Sequence, residues 1–86
     1  MAGEDEARAF GQLLRERRKA LGLRQEDVIL ATGVGRRYLI ELEAGKPTAR
    51  LGPALMVARL LGIVLAPDGR GALSDLPALP DAEREG

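Results

Sequence analysis

Residues 25–43 read QEDVILATGVGRRYLIELE. Gln25 to Thr32 has the composition of a short helix, with Glu26 and Asp27 in its first turn. The partial positive charge at a helix N-terminus favours anions there. Val28 is its clearest inward residue. Gly33 follows, at a point where a positive φ would end the helix at little cost. A second helix is expected over Gly35 to Ala44, with Val34, Leu39 and Leu42 as the inward set.

Two short helices joined by a glycine turn, with apolar residues at fixed offsets around it, make the pattern of a helix-turn-helix. In that arrangement the second helix enters the major groove of DNA and the first braces it across the backbone. A lone glycine between two helices would mean little. Here Val28, Val34, Leu39 and Leu42 stand beside Gly33 at the offsets the packing needs.

Working outward, Glu4 to Leu21 reads as a first helix. Phe10, Leu13, Leu14 and Leu21 fall on one face, and Arg15, Glu16 and Lys19 on the other. Gly22 ends it. Beyond the quoted stretch, Gly45, Lys46 and Pro47 form a loop, and a fourth helix is expected over about Ala49 to Leu61, with Thr48 as N-cap. Pro53 lies near enough to its start to be tolerated. Leu51, Leu55, Ala58 and Leu61 are assigned to the core, which leaves Met56, Val57 and Leu60 for a second contact surface. Gly62 breaks the helix. Ile63, Val64 and Leu65 favour a strand closed by Pro67, the alternative being a further helical turn packed under the core. Residues 68–86 are rich in Gly, Pro, Asp and Glu and read as a disordered tail. Its Leu73, Leu76 and Leu79 are either a short docking motif or simply part of the tail. The expected fold is all-α, with four helices, one short C-terminal strand and that tail. The expected divisions are an acidic start over 1–9, a folded domain over 10–66 and the tail over 67–86.

The chain has 86 residues and no net charge, but the charge is unevenly placed. Between Phe10 and Ala66 there are ten basic residues and five acidic ones, and the flanks are acidic. A basic centre suits a nucleic-acid binder. A solvated surface with charged termini would look the same, so charge alone does not choose. There is no Cys and no His. Disulfides, thiolate metal sites and His-based acid–base chemistry therefore lose their usual side chains. With no nucleophile–base set and no phosphate-binding glycine loop, neither an enzyme nor a cofactor is expected. The longest apolar run, Leu60 to Ala66, is interrupted by Gly62 and falls far short of a membrane span. The opening MAGEDEARAF lacks the apolar region of a signal peptide, so the cytoplasm is the expected location. A core this small would gain from dimerisation.

The stretch GLRQEDVILATGVGRRYLIELEAGKPT resembles the phage-repressor-like (Xre, Cro/C1-type) helix-turn-helix family. Continued through ARLGPALMVARLLGIVL, it is most similar to HipB/Y4mF-type antitoxins. The resemblance covers roughly Phe10 to Ala66. Ile29 departs from the usual Ala, and Thr32 stands at a usually apolar place.

The resemblance places Arg36 and Arg37 at the head of the recognition helix, where such proteins touch base edges. An arginine can bond bidentately to guanine O6 and N7. At least one of the two is expected to do so; the plainer reading for either is a phosphate or solvent contact. Gly35 either lets the backbone come close to DNA or caps the helix. Glu41 either pairs with Arg37 one turn earlier, the preferred reading, or accepts a bond from cytosine N4. Tyr38 either meets a phosphate or thymine methyl or packs on the preceding helix. Gln25 matches a family residue that holds a phosphate at a helix N-terminus. Lys46 and the amides near Gly45 are expected to hold another. Arg18 and Glu43 match a structural ion pair of the family. The strand over Ile63, Val64 and Leu65, together with Met56, Val57 and Leu60, is expected to join two copies. The resemblance thus implies a homodimeric repressor on a pseudo-palindromic operator, with a HipA-like kinase toxin as a further partner. The alternatives are a stand-alone phage-type repressor and, from another class, a helical protein-interaction adaptor.

Overall fold

Residues 2–66, those that the computed structural model describes, carry four helices in succession. They are α1 (Glu4–Ala20), α2 (Gln25–Thr32), α3 (Arg36–Glu43) and α4 (Leu51–Leu60). The tail and its three leucines lie outside the described residues. Glu4, Asp5 and Glu6 open α1 and Arg17, Arg18 and Lys19 close it, so both ends complement the helix dipole. The acidic start of the chain is in this way the first turn of a helix.

The main helix pairs are α1 with α3, α2 with α3 and α2 with α4. The core between them is Leu14 from α1, Val28 from α2, Val34, Leu39 and Leu42 around α3, and Ala54, Val57, Ala58 and Leu61 from α4 and its end. Leu13 and Leu21, assigned to the inward face of α1, stay about half exposed. Leu39 is fully buried, and truncating such a residue to Ala costs about 2–5 kcal/mol.

The inward face of α4 differs from the sequence expectation. Ala54, Val57, Ala58 and Leu61 lie at i, i+3, i+4 and i+7 and are buried, while Leu51 and Leu55 point outward. Val57 is 0% exposed, so its side chain belongs to the core and offers nothing to a second subunit. Leu51, Leu55, Met56 and Leu60 are instead the exposed large apolar residues of α4.

The expected strand is absent: among the described residues there is no strand, and residues 63–66 are irregular. The reason is visible at the end of α4. Gly62, at φ 76°, turns the chain back on the helix. Its N–H donates to the Arg59 carbonyl at 3.1 Å, and the Ile63 N–H to the Ala58 carbonyl at 2.9 Å. This pair of bonds is a Schellman cap, completed by an apolar contact from the residue after the glycine. Ile63 supplies it, half-buried against the core. Its amide closes a helix and is not available to a ladder. Val64 and Leu65 follow, exposed.

The same pair of bonds ends α1, from Gly22 and Leu23, and α3, from Gly45 and Lys46. At Gly33 a positive φ of 79° ends α2 and lets the chain reverse into α3. An L-residue with a Cβ would be strained there.

Candidate nucleic-acid interface

The helix α3 has two faces. Leu39 and Leu42 point into the core, while Arg36, Arg37, Ile40 and Ala44 are exposed. The helix begins at Arg36 because Gly35, extended at φ −71° and ψ 153°, holds the N-cap position. Its carbonyl accepts the Leu39 N–H at 3.0 Å. A Cβ at Gly35 would meet nothing within 4 Å, so the protein itself does not require a glycine here.

The bracing of α3 is built from buried charge. Arg18 reaches from α1 to Glu43 at the end of α3, with Nε–Oε2 at 2.8 Å and Nη2–Oε1 at 3.1 Å. Their side chains are only 9% and 5% exposed. The remaining Arg18 nitrogen, Nη1, donates to the Leu23 carbonyl at 2.9 Å. Gln25, the first residue of α2, donates from Nε2 to Glu43 Oε1 at 3.1 Å. One carboxylate thus ties three helices together. A bidentate pair of this kind adds geometric specificity, while desolvation offsets much of its energy. Further along α2, the Thr32 hydroxyl donates to the Val28 carbonyl at 2.7 Å and accepts from the Val34 N–H at 3.3 Å. This hydroxyl serves the turn between α2 and α3, which gives Thr32 a use in place of the usual apolar residue.

The expected site residues fall into two groups. Arg36, Arg37, Glu41 and Lys46 lie together on and beside the outer face of α3. Arg36 Nη2 donates to Glu26 Oε2 on α2. Arg37 Nε lies 3.8 Å from Glu41 Oε2, and Lys46 Nζ lies 3.3 Å from Glu41 Oε1. The second group is engaged inside the protein. The Tyr38 hydroxyl donates to the Arg50 carbonyl, linking α3 to the start of α4, and burial pushes its pKa above the ordinary 10.0. The Gly45 N–H donates to the Leu42 carbonyl at 3.1 Å and the Lys46 N–H to the Glu41 carbonyl at 3.0 Å. Both amides cap α3, which leaves neither for the phosphate expected of them. One of the two side-chain N–H groups of Gln25 is directed at Glu43, and the second is not taken by that bond.

Three residues that the sequence reading passed over belong to this surface. Ile40 is exposed one turn after Arg36, an apolar side chain where a thymine methyl could be met; its i+4 spacing from Arg36 was the available signal. Arg15 on α1 lines a shallow groove of about 360 Å³ with Gln25 and Ile40. No ion pair engages Arg15 among the described residues, which leaves it a cation at the edge of α3. Glu26, read only as a favourable first-turn anion, is the partner of Arg36.

A sequence profile described as a helix-turn-helix domain matches residues 9–69. A protein of Sinorhizobium fredii named as an uncharacterised HTH-type transcriptional regulator, y4mF, is 46% identical over 64 residues, covering 71% of this chain and 84% of that protein. A protein of Methanothermobacter thermautotrophicus, named as an uncharacterised HTH-type transcriptional regulator, is 46% identical over 50 residues, covering 58% of this chain and 72% of its own length. No solved structure matches significantly.

Proposed function

This chain belongs to the helix-turn-helix domain family, and on that premise we propose that it is a sequence-specific DNA-binding transcriptional repressor acting in the cytoplasm as a homodimer on a pseudo-palindromic operator. The observation that carries the reading is the exposed pair Arg36 and Arg37 at the head of α3, on a helix braced by the buried Arg18–Glu43 bridge. The brace holds the backbone, so the arginines approach the groove from a fixed frame. No cofactor is called for. The dimer reading is supported by α4, where Leu51, Leu55, Met56 and Leu60 lie exposed on one short helix. Two recognition helices would then meet two half-sites.

The test is affinity for DNA from upstream of the chain's own gene against a scrambled duplex at fixed salt. A preference for the upstream DNA is expected, since sequence-independent phosphate binding would treat both alike. Equal affinity for every upstream fragment and its scramble would sink the reading.

The finer reading is that the repressor is the antitoxin of a two-gene operon and also binds a HipA-like kinase toxin. It rests on the resemblance of residues 33–66 to HipB-type antitoxins. Co-expression with the neighbouring gene product should give a stable complex and neutralise its toxicity. If no neighbouring product is toxic or co-purifies, the antitoxin part falls and the repressor remains.

A further inference from the structure

The two arginines at the head of α3 are held very differently. Arg36 is bonded through Nη2 to Glu26, a residue ten positions earlier on a different helix. Glu26 is the second residue of α2, where the helix dipole favours a carboxylate. The guanidinium of Arg36 is thereby tethered to a second helix. Arg37 has only a carboxylate on its own helix, Glu41, at 3.8 Å, and Lys46 stands nearer to that carboxylate at 3.3 Å. The Arg37 side chain is 90% exposed, against 57% for Arg36.

We propose that Glu26 makes Arg36, and not Arg37, the residue that reads a base, by orienting its guanidinium before DNA arrives. The inference rests on the DNA-binding reading above and sharpens it. Reading guanine needs two N–H groups in one plane and in register with O6 and N7. Arginine carries five donors in a rigid fork, and the bond to Glu26 occupies one of them. Enough remain for a bidentate contact while the carboxylate anchors one end of the guanidinium and restricts its orientations. A long side chain that is already ordered loses less rotamer freedom on binding. Arg37 has no such preparation. Its role is the sequence-independent one, a mobile charge that finds a phosphate.

Glu26 is also a negative charge beside the DNA-facing surface, so it weakens binding to any duplex. The two effects separate experimentally. Neutralising the charge strengthens binding to all DNA alike, whereas losing the orientation narrows the gap between right and wrong sequences. The experiment measures affinities for the upstream duplex and its scramble, at several salt concentrations, for wild type and for Glu26→Ala, Glu26→Gln, Arg36→Ala, Arg37→Ala and the Glu26→Ala/Arg36→Ala double variant. Arg36→Ala should shrink the specificity ratio by about 5- to 150-fold. Glu26→Ala should raise affinity for the scramble while shrinking the ratio by about 2- to 12-fold. Glu26→Gln keeps an acceptor and should retain more of the ratio. The double variant should be no less specific than Arg36→Ala alone. Arg37→Ala should weaken both duplexes alike and reduce the salt slope by about one. If Glu26→Ala strengthens both duplexes by the same factor, or if Arg37→Ala alone abolishes the ratio, the assignment is overturned. A wild type with no sequence preference would instead overturn the repressor reading itself.

Discussion

Gly11 of α1 lies so close to α3 that a Cβ built on it would stand 2.4 Å from the Leu42 carbonyl oxygen and 2.8 Å from that of Glu43. The atoms it would strike are backbone, which cannot step aside as a side chain can. The absence of a side chain at Gly11 is what lets α1 approach near enough for Arg18 to reach Glu43.

Gly11→Ala is therefore expected to destabilise the domain. Replacing a mid-helix Gly with Ala ordinarily gains about 0.5–1 kcal/mol. Overpacking against backbone costs about 1–3 kcal/mol, and at 2.4 Å the cost wins. Gly52 in α4 is the contrast, since a Cβ there would meet nothing within 4 Å. Gly52→Ala should stabilise by about 0.4–1 kcal/mol. Urea midpoints that move the same way for both variants would contradict the packing account.

Removing one partner of the Arg18–Glu43 bridge leaves a buried charge without compensation. Glu43→Ala should cost about 3–5 kcal/mol. Replacing both, as Arg18→Met with Glu43→Leu, should recover a large part of that loss, because neither charge is then stranded. The double variant should still bind DNA less well than wild type, since Gln25 and α3 lose their common anchor. A double-mutant cycle in which the two losses simply add would show that the bridge is not a unit.

The Arg24 amide donates to Asp27 Oδ2 at 2.8 Å and holds that carboxyl below its ordinary pKa of 3.8, with the Arg24 guanidinium adding to the effect. A carboxyl depressed on folding contributes stability that is present above the unfolded value and lost as pH falls through the folded one. Thermal melts of wild type and Asp27→Asn should thus differ above about pH 4 and converge below it. A constant offset from neutral pH down to pH 2 would mean that the charge is not what matters.

Met56 and Leu60 are exposed by 51% and 40%, so placing a charge on them should leave the monomer folded. On the proposed homodimer, Met56→Glu with Leu60→Glu should shift light scattering from dimer to monomer, with helix content unchanged. Operator affinity should fall with it, because one half-site offers the contacts of a single module. A variant that remains dimeric would move the interface off α4.

What was legible in the sequence depended on whether polar residues interrupted the apolar ones. The reading of α2 as Gln25 to Thr32 coincides with the observed helix, because an acidic first turn and Gly33 bracket it. For α4 the apolar residues run nearly all round, so spacing carried no information about which face turns inward. The smaller Ala54, Val57 and Ala58 face inward there and the larger Leu51 and Leu55 do not. Ile63 to Leu65 look like a strand by local propensity, but propensity could not show that the Ile63 amide closes a helix. At the candidate site, Arg36 and Arg37 are singled out by position and Glu41 by its i+4 spacing. Glu26 is ten residues from Arg36, and only the turn at Gly33 brings it near.

The helix α2 touches both other parts of the machinery, packing against α3 on one side and α4 on the other. In a dimer joined through α4, the placement of the two recognition helices would then depend on this packing together with the Tyr38–Arg50 link. Val28, fully buried at the middle of α2, packs in the core that α2 shares with α3 and α4. Repacking around Val28 would retune the distance between half-sites without altering any residue that touches a base. On the proposed dimer, a side chain that no DNA meets would in this way bear on which spacing of half-sites is recognised.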